Sequence, residues 1–501
     1  MGNDSGSDSG VDDGIHDIAS VIKEFADQPI WYGGQRHPGE APAIAVRNPA
    51  NEDVLSDLAS ASTEQVDAAL AAARDAQYAW NRSGPSARST LLHDMAKVLR
   101  DNAEVLAEVV MAESGKTWEM SHADVEVGAV MLDLNAEWAL RIEGEILPSD
   151  TPTEEITIRR EPLGVVVAIC PWNWALTIAC RKIGPALVTG NTVVVKPSEV
   201  PPLSTVLAMK LWHENLEIPP GVLNLVTGGG EVGKALVTNP ISAMVSFTGH
   251  RDTGKRIMET ASGTLTRVAL ELGSKAPAIV LKDADLDKAV PTLVQSRFWC
   301  AGEFCNATER ILVERPIVDE FIKRYTAAVS ELKVGDPREN PDFGPLANGA
   351  HYEKVDGAVQ KARSEGATVA TGGGRPEGAD FEKGYWYAPT VITDVTEDMS
   401  IMRDETFGPV VPVLAVDSAE HAIEIANSSR YGLAAYLWTS SYASAMTVSR
   451  DLEVGEVFIN RGSGEALHAH HGGHKESGYG GEDGKHGMVK YTQLKVVYHN
   501  W

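Results

Sequence analysis

The octapeptide EFCNATER, residues 303–310, carries Cys305, one of only four cysteines in 501 residues. A thiolate is a strong nucleophile, yet an isolated cysteine is more often a small hydrophobe in a core. A free thiol, with a pKa near 8.5, is only about 3% ionised at pH 7, so catalysis at Cys305 needs positive potential around it. Two glycine-rich stretches could receive phosphate. GGGEVG, Gly228 to Gly233, follows a strand-like run at dinucleotide-fingerprint spacing but lacks the acidic residue expected about 20 positions on. GHRDTGKR, Gly249 to Arg256, approaches a nucleoside-triphosphate loop, but Arg256 stands where a hydroxyl should hold magnesium. What remains is a glycine turn opening a helix, whose free amides and dipole favour phosphate. The run HAHHGGH offers His468, His470, His471 and His474. No cysteine or carboxylate completes a metal-ligand spacing there, and Gly472 and Gly473 imply a loop packed close to a neighbour, so no metal is expected.

These side chains must be positioned by regular elements. Ser62 and Gln65 form a capping box ahead of VDAALAAARDAQYAW, and residues 60–142 read as successive amphipathic helices. EILPSDTPTEEITIRREP, residues 145–162, reads as a projecting hairpin, and the C-terminal YTQLKVVY alternates in the same way. The two segments could pair with each other or across a subunit contact. Between 164 and 281 the runs GVVVAIC, TVVVKPS, GVLNLVTG, AMVSFTG and APAIVL alternate with helical stretches, the rhythm of parallel strands with crossover helices. A second α/β set runs from about 274, at APAIVLKDADLDKAV, to about 460, at GEVFIN.

The length suggests two or three domains. With 44 Lys+Arg against 70 Asp+Glu the net charge is −26, which opposes binding to nucleic acid or to an anionic membrane surface. The acidic coat fits either an ordinary solvated face or a high-salt cytoplasm, where screening removes self-repulsion. Cys170, Cys180, Cys300 and Cys305 are too few and too irregular for a disulfide framework, so a reducing cytoplasm is expected. MGNDSGSDSGVDDG at the start reads as a disordered acidic tail, and no apolar run approaches the length of a membrane span.

PWNWAL at 171–176, KPSE at 196–199, SFTG at 246–249, LELGSK at 270–275 and ETFGP at 405–409 occur together with DADLDKAV and GGHKESGYGGEDGKHG. In order and spacing the chain after its tail resembles the aldehyde dehydrogenase superfamily. The resemblance implies an α/β fold: two doubly wound α/β domains, a Rossmann-like cofactor domain and a catalytic domain, plus a β-hairpin oligomerisation arm. The expected boundaries are 1–14 for the tail, 15–144 and 164–273 for the NAD-binding domain, 274–476 for the catalytic domain, and 145–163 with 487–501 for the arm. A homodimer or homotetramer would follow.

The resemblance also assigns roles. Cys305 matches the nucleophile that forms a thiohemiacetal and then a thioester with an aldehyde. The Asn173 side chain and the Cys305 backbone amide match the oxyanion donors. Glu271 matches the general base, and Lys182 and Glu482 positions that pass its proton onward. Lys196 and Glu199 match groups that hold the adenosine ribose. Glu405 and Phe407 match the nicotinamide end, and Trp172, Gly228, Gly249, His250, Gly254 and Leu272 line the rest of the cofactor site. A carboxylate at Glu199 repels a ribose phosphate, which favours NAD and leaves NADP open.

KAPAIVLKDADLDKAV, CNATER, MSIMRDETFGPV and GGEDGKHG resemble the lactaldehyde and glycolaldehyde dehydrogenase branch. There the positions of Arg181, Glu465 and His471 face the substrate, implying a small hydroxyaldehyde. A semialdehyde whose distal carboxylate pairs with Arg181 is the alternative; an NTP-binding or metal-binding protein is a remote one. The chain also departs from the family. Glu303 replaces a usual Gln, and must either point away from Cys305 or oppose its ionisation. Cys300 replaces Asn, Ser274 a Gly, Trp174 and Ala175 a Phe-Pro pair, and His250 the Ser of the phosphate-contacting turn.

Overall fold

The computed structural model describes residues 18–501, so the acidic tail lies outside the described residues. Two large sheets organise the chain. The first has five parallel strands at its centre, in the order Leu223–Leu225, Thr192–Lys196, Val165–Ile169, Ser242–Thr248 and Arg267–Glu271. VVVAI and TVVVK are buried at every position, as expected of unbroken β-branched runs covered by helices on both faces. From Val165–Ile169 the chain steps outward through two strands, then returns to lay Ser242–Thr248 on the other side. A crevice therefore opens at the carboxyl ends of these strands, where strand order reverses.

The second sheet orders Thr368–Thr371, Thr390–Thr393, Val410–Val416, Arg310–Glu314, Pro277–Val280, Ala434–Trp438 and Glu456–Ile459. All its pairs are parallel except the first. Two doubly wound α/β units are thus present, as the resemblance implied. APAIVL belongs only to this second sheet. The fifth parallel strand of the first sheet is Arg267–Glu271, whose RVALE opens on a charge and carries a single β-branched residue, so it does not stand out. The antiparallel edge strands Ile30–Tyr32 and Gln35–His37 were likewise illegible at three residues each.

The helical region resolves into Thr63–Asn81, Pro85–Asp101, Ala103–Ser114 and Trp118–Ala136. The capping box is present: Ser62 Oγ accepts from the Gln65 amide at 3.2 Å and Gln65 Oε1 from the Ser62 amide at 3.1 Å. The hairpin forms from Glu145–Leu147 and Glu154–Pro162, and Thr492–Asn500 pairs antiparallel along the full length of the latter. This three-stranded arm leaves Ile146, Leu494, Val496, Tyr498 and Trp501 exposed. Among the described residues no helix is long and apolar enough to cross a membrane.

Candidate active site

Cys305 follows a turn that local sequence alone would not adopt. Cys300 and Ala301 both take left-handed backbone, with φ of 49° and 53°, a conformation costing about 1–3 kcal/mol per non-glycine residue. Gly302 continues it at φ 72°, where an added Cβ would stand 2.6 Å from the Gly408 carbonyl. A buried network holds this turn. Arg297 donates to Glu309 Oε1 at 2.8 Å and to the Gly408 carbonyl. Lys275 donates to Glu309 Oε2 at 2.8 Å, and the amides of Thr406 and Phe407 close on the same carboxylate. Glu309 therefore fixes the turn before Cys305 and the ETFGP loop together. Arg297 escaped the sequence reading, and Lys275 and Glu309 lay unassigned within quoted motifs; a charged triad that is fully buried reveals itself only in three dimensions.

Around the sulfur the structure gathers most of the expected residues. Asn173, from the turn after Val165–Ile169, lines the same cleft as Cys305. Glu271 ends its strand, is buried, and has no hydrogen-bond partner on either carboxylate oxygen. Burial pushes its pKa up to about 7, with Glu482 adding to the rise and His471, Lys490 and Lys182 opposing it. Such a group is a base poised near neutrality with both oxygens free. Lys182 Nζ lies 2.6 Å from Glu482 Oε1 and 3.1 Å from Ser246 Oγ. Burial alone would raise the Glu482 carboxyl, but Lys182, Lys490 and Arg181 hold it down at about 2.

Glu303 points away from the sulfur. Its Oε1 accepts from the Ala347 amide at 3.0 Å and lies 3.4 Å from His351 Nε2, which itself donates to the Phe407 carbonyl. Burial raises the Glu303 pKa well above its ordinary value, against the Ala347 hydrogen bond and Lys116, and so favours the protonated acid.

The expected substrate residues are brought together, but differently from the expectation. Arg181 is buried against Glu465 at 3.1 Å and Asp483 at 2.8 Å. His471 has Nε2 3.9 Å from Cys305 Sγ and Nδ1 3.1 Å from Glu456 Oε2. Both ring nitrogens and the Arg181 Nη2 are thus engaged within the protein, Arg181 Nε is buried without a hydrogen-bond partner, and neither residue lines the cavities of about 1110 and 190 Å³. Glu465 alone of the three does. A cavity of about 190 Å³ is lined by Phe304 and Asn306, the neighbours of Cys305, with Trp299 and Glu465. Asn306 Nδ2 donates to Glu465 Oε2 at 2.9 Å. Burial would raise the Glu465 carboxyl, but His471 and Arg181 hold it at about 2, so an ionised acceptor faces that cavity. Glu456 and Asp483 were missed by the sequence reading, because nothing local marks a strand-edge carboxylate as a histidine partner.

A second and larger cleft, about 1110 Å³, opens at the strand-order reversal and reaches Cys305. Trp172, Lys196, Glu199, Gly249, His250, Leu272, Glu405 and Phe407 all line it. Its donors and acceptors fit a dinucleotide. Lys196 and Glu199 stand 3.5 Å apart, and a Cβ on Gly230 would meet nothing within 4 Å, leaving that helix start open to phosphate. The Glu405 carboxylate accepts from the Ser274 amide at 2.6 Å, and Gly273 must lack a Cβ because one would stand 2.7 Å from Glu405. The glycine usual at 274 is not needed for that contact. His250 caps the helix Arg251–Ala261, its Nδ1 accepting from the Asp252 amide at 3.2 Å, as a serine hydroxyl would. Gly228 and Gly254 correct the expectation: neither lines the cleft. A Cβ at either would stand 2.5 Å from Val232 or Leu272 respectively, so they permit close packing one layer behind it. Of the four loop histidines only His471 reaches the sulfur, and among the described residues no cluster suited to a metal ion occurs.

A side-chain amide, a thiol, a buried carboxylate without a partner and a dinucleotide-sized cleft occur together here, a combination suited to an oxidoreductase. The family model described as the aldehyde dehydrogenase family matches residues 37–497, and the chain belongs to that family. It is 44% identical to the lactaldehyde dehydrogenase of Escherichia coli, across 91% of this chain and 95% of that protein. A crystal structure of lactaldehyde dehydrogenase from that organism superposes with a TM-score of 0.91 at 43% identity, covering 94% of this chain and 98% of the other. Betaine aldehyde dehydrogenase from Staphylococcus aureus, in complex with NAD+, gives 0.94 at 34% identity over 96% and 97%. The mitochondrial succinate-semialdehyde dehydrogenase of Arabidopsis thaliana is 39% identical over 91% of this chain and 85% of its own length.

Proposed function

We propose that the protein oxidises a short hydroxyaldehyde, of the lactaldehyde or glycolaldehyde type, to its acid with NAD. One observation supports the substrate class: the small cavity lined by Phe304 and Asn306, the sequence neighbours of Cys305, is faced by the ionised Glu465. A carboxylate there accepts a hydrogen bond from a substrate hydroxyl and repels a substrate carboxylate. Arg181 and Glu465 form one ion pair at 3.1 Å, and of the two it is Glu465 that lines the cavity. Long alkyl chains would leave these polar groups unpaired.

In the mechanism, the Cys305 sulfur bonds to the aldehyde carbon while the carbonyl electron pair moves to oxygen. The Asn173 amide and the Cys305 backbone N–H hold that oxyanion. Bound NAD supplies the hydride acceptor; Lys196 and Glu199 would hold one end of it and Glu405 and Phe407 the other. Once a thioester stands on Cys305, Glu271 takes a proton from water, whose oxygen adds to the acyl carbon and expels the sulfur as thiolate. Glu199 favours NAD over its ribose-phosphorylated counterpart by charge repulsion. The dinucleotide-binding domain would comprise 15–144 and 164–273, and the catalytic domain 274–476.

An assay of NAD reduction over an aldehyde panel tests this. Glycolaldehyde and lactaldehyde are expected to give the highest kcat/KM; a higher value with succinate semialdehyde or hexanal overturns the substrate class. Glu465→Ala is expected to lower kcat/KM for glycolaldehyde about 10- to 100-fold, the worth of one charged hydrogen bond, while changing hexanal less than about threefold. Parallel losses would make Glu465 merely a support for Arg181 and Asn306.

The exposed apolar side chains of the arm support a homodimer or homotetramer, since an uncovered sheet face of this kind invites association. Replacing Leu494, Val496 and Tyr498 by Ser removes about 1.5–3 kcal/mol per buried side chain. Light scattering should find the wild type oligomeric and the triple variant monomeric at micromolar concentration; unchanged mass would exclude the arm as the contact.

A further inference from the structure

We infer that His471 and Glu456 form a thiol–imidazole–carboxylate relay with Cys305, in which the imidazole takes the thiol proton and holds the sulfur as thiolate before any aldehyde arrives. The inference rests on Cys305 being the nucleophile. His471 Nε2 lies within reach of a sulfur hydrogen bond, and Nδ1 is fixed by Glu456. Both ring nitrogens face protein groups, and only 2% of the His471 surface is exposed. Its placement is also over-determined. The His471 amide donates to the Glu482 carbonyl at 2.9 Å, and Gly455, the residue before Glu456, admits no Cβ because the Gly472 carbonyl would stand 1.8 Å from it. The loop carrying His471 is thereby seated against the edge strand that carries Glu456.

The charges facing the ring favour its cation. Glu456 and Glu465 act on it directly, and Glu271 and Asp483 also sense its charge. Arg181 is held by Glu465 and Asp483, while His470 on the neighbouring position has its own pKa lowered by burial and by the cations around it. Burial alone would strip the charge from His471, but the hydrogen bonds to Cys305 and Glu456 outweigh it and hold its pKa well above the ordinary range. The proton moves from Sγ to Nε2, giving a thiolate and an imidazolium whose Nδ1–H donates to Glu456. The imidazolium keeps this proton through the thioester stage. When water, deprotonated by Glu271, displaces the sulfur, the C–S bond breaks and the ion pair is restored with no further transfer. Glu456 acts through His471 and is a positioning residue; His471 touches the reacting sulfur.

The test measures the rate of Cys305 alkylation by iodoacetamide against pH in the enzyme without cofactor or aldehyde, with mass spectrometry to confirm the labelled residue. The wild type is expected to react as thiolate at and below pH 7. His471→Gln should move the inflection upward by about 1–2 pH units, toward the free-thiol value near 8.5, and Glu456→Gln should move it in the same direction by less. The thiolate ultraviolet absorbance at pH 7, taken against Cys305→Ala, should fall in both variants. Should His471→Gln fail to fold, the Glu456→Gln profile decides alone. Unchanged profiles with Cys305 labelled and essential overturn the relay only. Aldehyde oxidation surviving in Cys305→Ala would instead overturn the proposed function on which the relay stands.

Discussion

Replacing Cys305 by Ala is expected to lower NAD-dependent aldehyde oxidation on the order of 10⁴-fold or more, with the melting temperature and oligomeric mass unchanged. The size follows from the chemistry. Without the sulfur no covalent tetrahedral adduct forms, and Asn173, Glu271 and the cofactor cleft have no intermediate to act upon. The fold should survive because Cys305 is only partly buried and the turn before it is held by Arg297, Glu309 and Lys275, none of which touches the thiol. Cys305→Ser keeps the shape but presents a far less acidic hydroxyl to His471, and it should lose nearly as much. Steady-state kinetics with glycolaldehyde checks both, and activity within tenfold of wild type in either would end the covalent scheme.

Glu271→Gln is expected to separate the two halves of the reaction. The thioester should still form, because no step before it needs Glu271, but water would lose its base and steady-state turnover should fall about 10²- to 10⁴-fold. Rapid mixing should then record a burst of reduced cofactor of about one equivalent per active site, followed by slow turnover. The pH dependence has a definite sign. Glu271 works as a carboxylate, and burial raises its pKa to about 7. Where hydrolysis limits kcat, kcat should therefore rise with pH through about 7 and level above it, and this inflection should be missing in Glu271→Gln. A variant that shows no burst and loses the first half-reaction equally would assign Glu271 to thiohemiacetal formation instead.

The burial of Glu303 separates what could be read from residues and what could not. A glutamate two positions before the nucleophile reads as an obstacle to its ionisation, because sequence supplies the charge of the free side chain. In the fold this carboxyl is buried between the Ala347 amide and His351, and desolvation raises its pKa. His250 teaches the same lesson in reverse. It departs from the residue type usual at its turn, yet its ring nitrogen performs the same capping bond.

By itself the sequence determined the α/β class, the parallel runs VVVAI and TVVVK, the capping box at Ser62, the hairpin at 145–162 and membership of the aldehyde dehydrogenase family. Those features are local, or are strings of residues whose order survives without coordinates. Tertiary structure alone decided that Pro277–Val280 joins the second sheet, that Gly228 and Gly254 serve packing, and that Arg181 is spent on Glu465 and Asp483. It also brought Glu456 to His471 and His471 to Cys305. Each of these depends on contacts between segments far apart in the chain, and on burial and buried partners, which raise the pKa of Glu271 and Glu303, lower that of Glu465, and which no residue carries in its own name.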